Sequence, residues 1–166
     1  MMVTFMESGM TFKMEKDNLF RIEKSQEVIR MQSFKPCECV VRSGKFLDLI
    51  EAKSSAPNPH SGDKTDFNTF YKEIEQKFID SLLYTTGITA ERRNDAACPV
   101  NVKGVQLSVI KYRFYLIIKN LEDRHLPDQM ECFKKQLKHV IKAWNIDDNC
   151  LKVLNEAEAR RMNLIV

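Results

Sequence analysis

The run from Cys37 to Lys53 constrains this chain more than any other stretch. Cys37-Glu38-Cys39-Val40-Val41-Arg42 is rich in small apolar and β-branched residues. Lys45-Phe46-Leu47-Asp48-Leu49-Ile50-Glu51-Ala52-Lys53 is a second strand-like run. Ser43-Gly44 between them is a two-residue turn signal, so the pair is predicted to be a β-hairpin. Side chains alternate between the faces of a strand, which puts Leu47, Leu49, Glu51 and Lys53 on one face and Phe46, Asp48, Ile50 and Ala52 on the other. With Ser43-Gly44 as the turn, Arg42 pairs with Lys45 and Glu38 falls opposite Leu49. Glu38 then shares a face with Glu51 one diagonal away, at about 7–8 Å between backbone positions. Two carboxylates and a lysine converge at one end of the sheet. A register slip of one residue would send Glu38 to the far face.

The rest of the chain supplies the layers around this hairpin. Thr11–Met14 and Leu19–Glu23 read as strands. The stretch Ala56–Asp63, with Pro57, Asn58, Pro59 and Gly62, reads as a loop. Phe67, Phe70, Tyr71, Ile74, Phe78 and Leu82 recur at helical spacing, predicting an amphipathic helix with Asp66 near its start and Gly87 at its end. Residues 90–104 read as a long polar loop, and Tyr112–Ile118 as a central strand. A second helix opens at Leu126-Pro127-Asp128, where Asp128 and Glu131 resemble a capping box. Its apolar stripe is Met130, Phe133, Leu137, Ile141 and Trp144. Cys150–Leu154 is a last strand, and Asn155 caps a short helix from Glu156 to Met162. This order predicts an α/β fold, a mixed β-sheet flanked by helices, in one domain spanning residues 1–166.

Global charge decides little. A formal net charge of +3 suits a local basic rim better than a coat of phosphate contacts. With only five glycines and no G-x-G-x-x-G or G-x-x-x-x-G-K-[ST], a phosphate-cradling loop is not expected. The five cysteines, Cys37, Cys39, Cys98, Cys132 and Cys150, lack zinc-site spacing and read as reduced, packed residues of a cytoplasmic protein. Met1–Met10 has no basic segment leading an apolar run, so no signal peptide is expected, and no membrane contact.

The Glu38, Glu51 and Lys53 set suits one reaction. Phosphodiester hydrolysis needs a hard divalent cation, which one or two carboxylates can hold, and a lysine beside them can orient the water or stabilise developing charge. Glu51-Ala52-Lys53 on a strand, with an acid on the preceding hairpin strand and a helix after it, resembles the PD-(D/E)xK nuclease superfamily, and with it a restriction-endonuclease-like core. The string Phe46–Pro57, the upstream Ile22-Glu23-Lys24-Ser25, and Val153-Leu154-Asn155-Glu156 with Ala159 and Leu164-Ile165 are also similar to a set of small bacterial and phage proteins. The resemblance implies that Glu38, Glu51 and the Ala52 carbonyl hold Mg²⁺ or Mn²⁺, that Lys53 is the catalytic lysine, and that Glu23 adds a further carboxylate. Glu38 stands where the superfamily has Asp, and Cys37 separates it from Pro36.

Other residues read more plainly. An exposed Glu51–Lys53 ion pair would be worth about 0–1 kcal/mol and needs no function. Asp48, on the opposite face, reads as a solvated or sheet-edge acid. His60, His125 and His139 read as surface residues, and Ser54-Ser55 as loop. Lys134, Lys135, Lys138 and Lys142 form one side of the second helix, a solvated face that could also hold phosphates, as could Arg92 and Arg93. Two functions are therefore expected as rivals. One is a metal-dependent nuclease acting on DNA, with RNA not separated from it, as a homodimer or within a larger complex. The other is a nuclease-like fold without catalysis, serving as a binding or regulatory subunit.

Overall fold

A computed structural model describes residues 1–166. Seven strands run in chain order: β1 (Met2–Glu7), β2 (Met10–Glu15), β3 (Leu19–Phe20), β4 (Cys39–Ser43), β5 (Phe46–Lys53), β6 (Lys111–Ile118) and β7 (Leu151–Asn155). The helices are α1 (Gln26–Ile29), α2 (Thr65–Thr89), α3 (Val100–Lys103), α4 (Leu126–Gln136), α5 (Lys138–Ala143) and α6 (Glu156–Arg161). Strands β3-β4-β5-β6-β7 form one five-stranded sheet, antiparallel from β3 to β5 and parallel from β5 to β7. The fold is α/β, a mixed sheet with helices against it.

Both faces of the sheet are covered, which is why β5 and β6 are buried almost throughout. On one face Val40, Leu47, Leu49, Phe114, Leu116 and Val153 pack against α2, α4 and α5 through Ile74, Phe78, Phe133, Leu137 and Ile141. Phe78 stacks on Phe114 with ring centroids 5.0 Å apart. On the other face Cys39, Val41, Ile50, Ala52, Tyr115 and Ile117 meet Met10, Phe12 and Met14 of β2, Ala159 of α6 and Ile165. Strands β1 and β2 form a separate two-stranded ribbon. No helix is long and apolar enough to cross a membrane.

The hairpin forms with a shifted turn. Ser43 pairs with Phe46, so Gly44 and Lys45 are the loop, and Gly44 has φ +59°. A two-residue hairpin needs positive φ at its first central position, and glycine takes that conformation without a Cβ clash. Moving the turn by one residue moves each cross-strand partner by two. The paired residues of Cys39–Ser43 and Phe46–Ile50 therefore keep their predicted faces, and Val40, not Glu38, lies opposite Leu49; Glu38 precedes the paired strand, at a point where Cys37 packs toward α2 and Cys39 toward the other face. Gly44→Ala meets no atom within 4 Å, so its cost is backbone strain alone. The expected loss is about 1–2 kcal/mol in urea unfolding; unchanged stability would show that the turn relaxes to another type.

Other elements differ from expectation. Residues 2–7 form β1, joined to β2 through Ser8 and Gly9, which have φ 50° and 75°. Only Leu19–Phe20 of the Leu19–Glu23 run pairs, because Ile22–Lys24 coils into a 3₁₀ turn and carries Glu23 off the sheet. The first long helix continues past Gly87 to Thr89. The second breaks at Leu137 into α4 and α5. The 90–104 loop contains the short α3. Asn155 caps α6 as expected, its side chain accepting from the Glu158 N–H.

Candidate functional site

The end of β5 is where charge gathers. Residues 51 and 53 share the α2-facing side of the strand, and α2 lies across it with Lys77 between Ile74 and Phe78, at the margin of the helix's apolar stripe. Glu51 is fully buried. Its Oε1 lies 3.0 Å from Lys77 Nζ and 3.1 Å from Lys53 Nζ. Its Oε2 accepts from Lys77 Nζ at 3.1 Å, and the same ammonium donates to the Pro36 carbonyl at 3.2 Å. Burial raises the Glu51 carboxyl above its usual range, against the pull of Lys77 and Lys53. At Lys77 burial acts downward, but the charge and hydrogen bond of Glu51 outweigh it and the ammonium is raised. The lysine is thus a permanent cation in the site.

A second group of acids sits beside this pair. Carboxylate oxygens of Glu7, Glu23 and Glu38 all lie within 4.8 Å of one another. Glu38 comes from the residue before β4, Glu23 from the 3₁₀ turn, and Glu7 from the last position of β1. Burial first, then a hydrogen bond with Glu23 and the charges of Glu51, Glu23 and Glu7, push Glu38 up to about 9. Burial also acts to raise Glu23, but hydrogen bonds from Glu38 and Lys24 win and hold it low. The two share a proton, Glu38 donating to Glu23. Arg21 Nη2 reaches Glu7 at 3.2 Å and Glu23 at 3.3 Å while its guanidinium lies 3.8 Å over the Phe5 ring. Lys24 Nζ is 2.7 Å from Glu23.

Two further atoms shape the centre. Ser8, held in a left-handed conformation by the β1–β2 turn, donates its hydroxyl to the Ala52 carbonyl at 2.9 Å. Glu38 Oε2 is buried with no hydrogen-bond donor aimed at it. Such an atom is costly unless a proton or a cation satisfies it. A group of three carboxylates, one bearing an orphan buried oxygen, fits a hard divalent ion, whose ligands are oxygens.

The structure brings Glu23 and Glu38 together and sets Glu51, Ala52 and Lys53 beside them. Glu51 itself is outside the group of three, held instead by two lysines. Glu7 and Lys77 were not foreseen. Asp48 is not a solvated acid: it is buried and accepts from Arg113 Nε at 2.6 Å and Nη2 at 2.7 Å, an ion pair between β5 and β6 that the parallel register sets side by side. His60 and His139 are exposed and pair with Asp128 and Glu75.

The candidate phosphate-binding cations lie elsewhere. Arg92 and Arg93 follow α2, whose last residue is about 18 Å of helix axis beyond Lys77. Arg93 stacks 4.2 Å over Tyr84, with Nη1 3.3 Å from Met31 Sδ. Lys134 and Lys138 border a surface cavity with Asn145 and Asp148. That cavity is near the start of β7, whereas Glu51 and Lys53 pair with the end of β6.

No family model, curated protein or solved structure matches the chain.

Proposed function

We propose that this protein is a divalent-metal-dependent nuclease of the PD-(D/E)xK kind, hydrolysing phosphodiester bonds at the end of β5. The observation that carries this reading is the orphan Glu38 oxygen inside the Glu7, Glu23 and Glu38 group, next to Glu51 and Lys53. Glu38 and Glu23 would hold the ion, with Glu7 as a third oxygen donor and Glu51 and the Ala52 carbonyl adjoining. When bound, Mg²⁺ or Mn²⁺ supplies a counter-charge for the phosphate and lowers the pKa of a ligated water.

The chain's own groups prepare the rest. Lys77 neutralises Glu51 and fixes its carboxylate plane. Lys53 presents an ammonium at the more open edge of the pair, where it can donate to a phosphate oxygen or to the attacking water. Ser8 positions the Ala52 carbonyl. Arg21 and Lys24 offset the charge of Glu7 and Glu23, so an anionic substrate does not meet three bare carboxylates.

A catalytically silent nuclease-like subunit is the second reading, favoured by the commitment of Glu51 to two lysines. A thermal-shift titration with Mn²⁺ separates the two. At ten times its dissociation constant, an ion that binds only the folded state adds about 1.4 kcal/mol. In a chain of 166 residues that raises Tm by roughly 3–6 °C. The nuclease reading expects this rise together with Mn²⁺-dependent cleavage of DNA or RNA. A flat titration would sink it and leave the silent subunit.

A further inference from the structure

The proposed site opens sideways into a cavity of about 280 Å³ between α1, the 30–36 turn and the middle of α2. Its wall changes character across its width. Glu23 and Lys77, both belonging to the charged centre, form one side; Lys35 and Gln32 lie at the rim; Ile29 and Phe34 supply an apolar surface. Ile29 is an exposed large apolar residue, 52% accessible, standing next to cations where nothing in the fold covers it. Phe34 is half-buried and anchored by Tyr84, with centroids 5.9 Å apart, so its ring is a fixed surface. Lys35 is tied at its backbone, its N–H donating to Asp80 at 2.8 Å, which leaves the side chain unengaged at the rim.

We propose that this cavity is a nucleotide subsite which takes one unpaired base against Phe34 and Ile29 and its phosphate on Lys35, making single-stranded nucleic acid the preferred ligand. The inference deepens the nuclease reading and rests on it for the placement of the reacting phosphate. The size of the cavity carries the choice of strand. About 280 Å³ lies at the small end of ligand pockets, which run from about 300 to 1,000 Å³. It admits one nucleotide-sized group, and not a duplex, whose bases remain stacked unless extruded. An apolar ring beside a phosphate-binding cation is the arrangement by which proteins hold unpaired bases without reading sequence. Lys77 joins the subsite to the centre, because the same ammonium that lines the cavity contacts Glu51.

The test is binding in EDTA, where no cleavage occurs, followed by fluorescence anisotropy of labelled oligothymidylate, oligouridylate and a DNA duplex of equal length. Wild-type protein is expected to bind a single strand at least about tenfold tighter than the duplex, the scale of one stacked base. The tighter of the two single strands identifies the sugar. Phe34→Ala is expected to weaken single-strand binding about tenfold. Lys35→Glu, an exposed change that leaves the backbone bond to Asp80 in place, is expected to weaken it similarly and to lower the salt dependence by about one charge. If Phe34→Ala does not fold, Lys35→Glu decides. No binding, duplex binding as tight as single-strand binding, or wild-type affinity in the folded variants overturns the subsite. Cleavage with Mn²⁺ is read separately: a protein that binds single strands through Lys35 yet never cuts would lose the nuclease reading and keep the subsite.

Discussion

Glu38→Gln should make the metal-free protein more stable at neutral and alkaline pH and remove much of its pH dependence. The unfolded chain releases the Glu38 proton near 4.5, and the folded chain keeps it to about 9. Between those values the native state binds more protons than the unfolded state, so stability falls as pH rises, by up to about 1.4 kcal/mol per pH unit. Integrated from 4.5 to neutrality, the cost is about 3 kcal/mol. Glutamine has the shape of the protonated acid and an amide that can donate to Glu23, so it avoids the cost. Urea unfolding of both proteins from about pH 5 to 9 should give matching stabilities at the acidic end and a widening gap in favour of the variant above it. Asp48 is also raised by burial, but it is common to both proteins and cancels in the difference; Glu51, whose charge helps to raise Glu38, is relieved in the variant and adds to the gap in the same direction. Glu23, held below its usual range, titrates outside this window.

The same substitution should abolish stabilisation by Mn²⁺. In wild type an ion must displace the shared proton, so its affinity should increase from pH 6 towards 8 as that proton becomes easier to remove. The variant retains the volume of the side chain but replaces one anionic oxygen with an amide. A Glu38→Gln protein that is less stable than wild type at pH 8, or that keeps the Mn²⁺ response, would contradict the proton-sharing account.

What the sequence made legible follows from how local each signal is. Glu51 and Lys53 share a face because strand periodicity is two, and no tertiary fact can change that. Misplacing the turn left the faces of Cys39–Ser43 unchanged, since the error displaced partners by two residues and not by one, whereas Glu38 stands one residue before the ladder and joins the acids outside that alternation. The long apolar stripe of α2 and the Asn155 cap of α6 were also local patterns. Glu7 was not legible: it joins the acids only because the β1–β2 ribbon folds over the sheet. Its one advance sign was Ser8-Gly9, the same dipeptide as Ser43-Gly44. Lys77 looked like any helical lysine until α2 was docked on β5. The partner of Asp48 needed the β5–β6 register. Arg92, Arg93, Lys134 and Lys138 were chosen by charge alone, and charge has no address in the fold; Lys35, adjacent to the centre, carries no stronger sequence signal than they do.

Lys53→Ala should lower metal-dependent cleavage by roughly 10²–10³-fold, the usual loss when one preorganised donor to developing charge is removed. Lys77 is the rival for this role, and its contacts argue against it. An ammonium has three donors. Lys77 donates to Glu51 Oε2 at 3.1 Å and to the Pro36 carbonyl at 3.2 Å, and its charge also lies 3.0 Å from Glu51 Oε1. Lys53 has a single contact, 3.1 Å to Glu51 Oε1, and so keeps donors free for a phosphate or a water. Lys77→Ala should therefore act on the fold first: it leaves the fully buried Glu51 with one cation, and breaking a buried pair is costly. Its expected signature is the larger fall in Tm with a rate loss nearer tenfold, whereas Lys53→Ala, which leaves Lys77 on both Glu51 oxygens, costs less Tm and keeps the Mn²⁺ shift while losing the rate. Measured side by side, the reverse pattern would move the catalytic role from the strand to the helix, and full activity in both variants would remove it from either lysine.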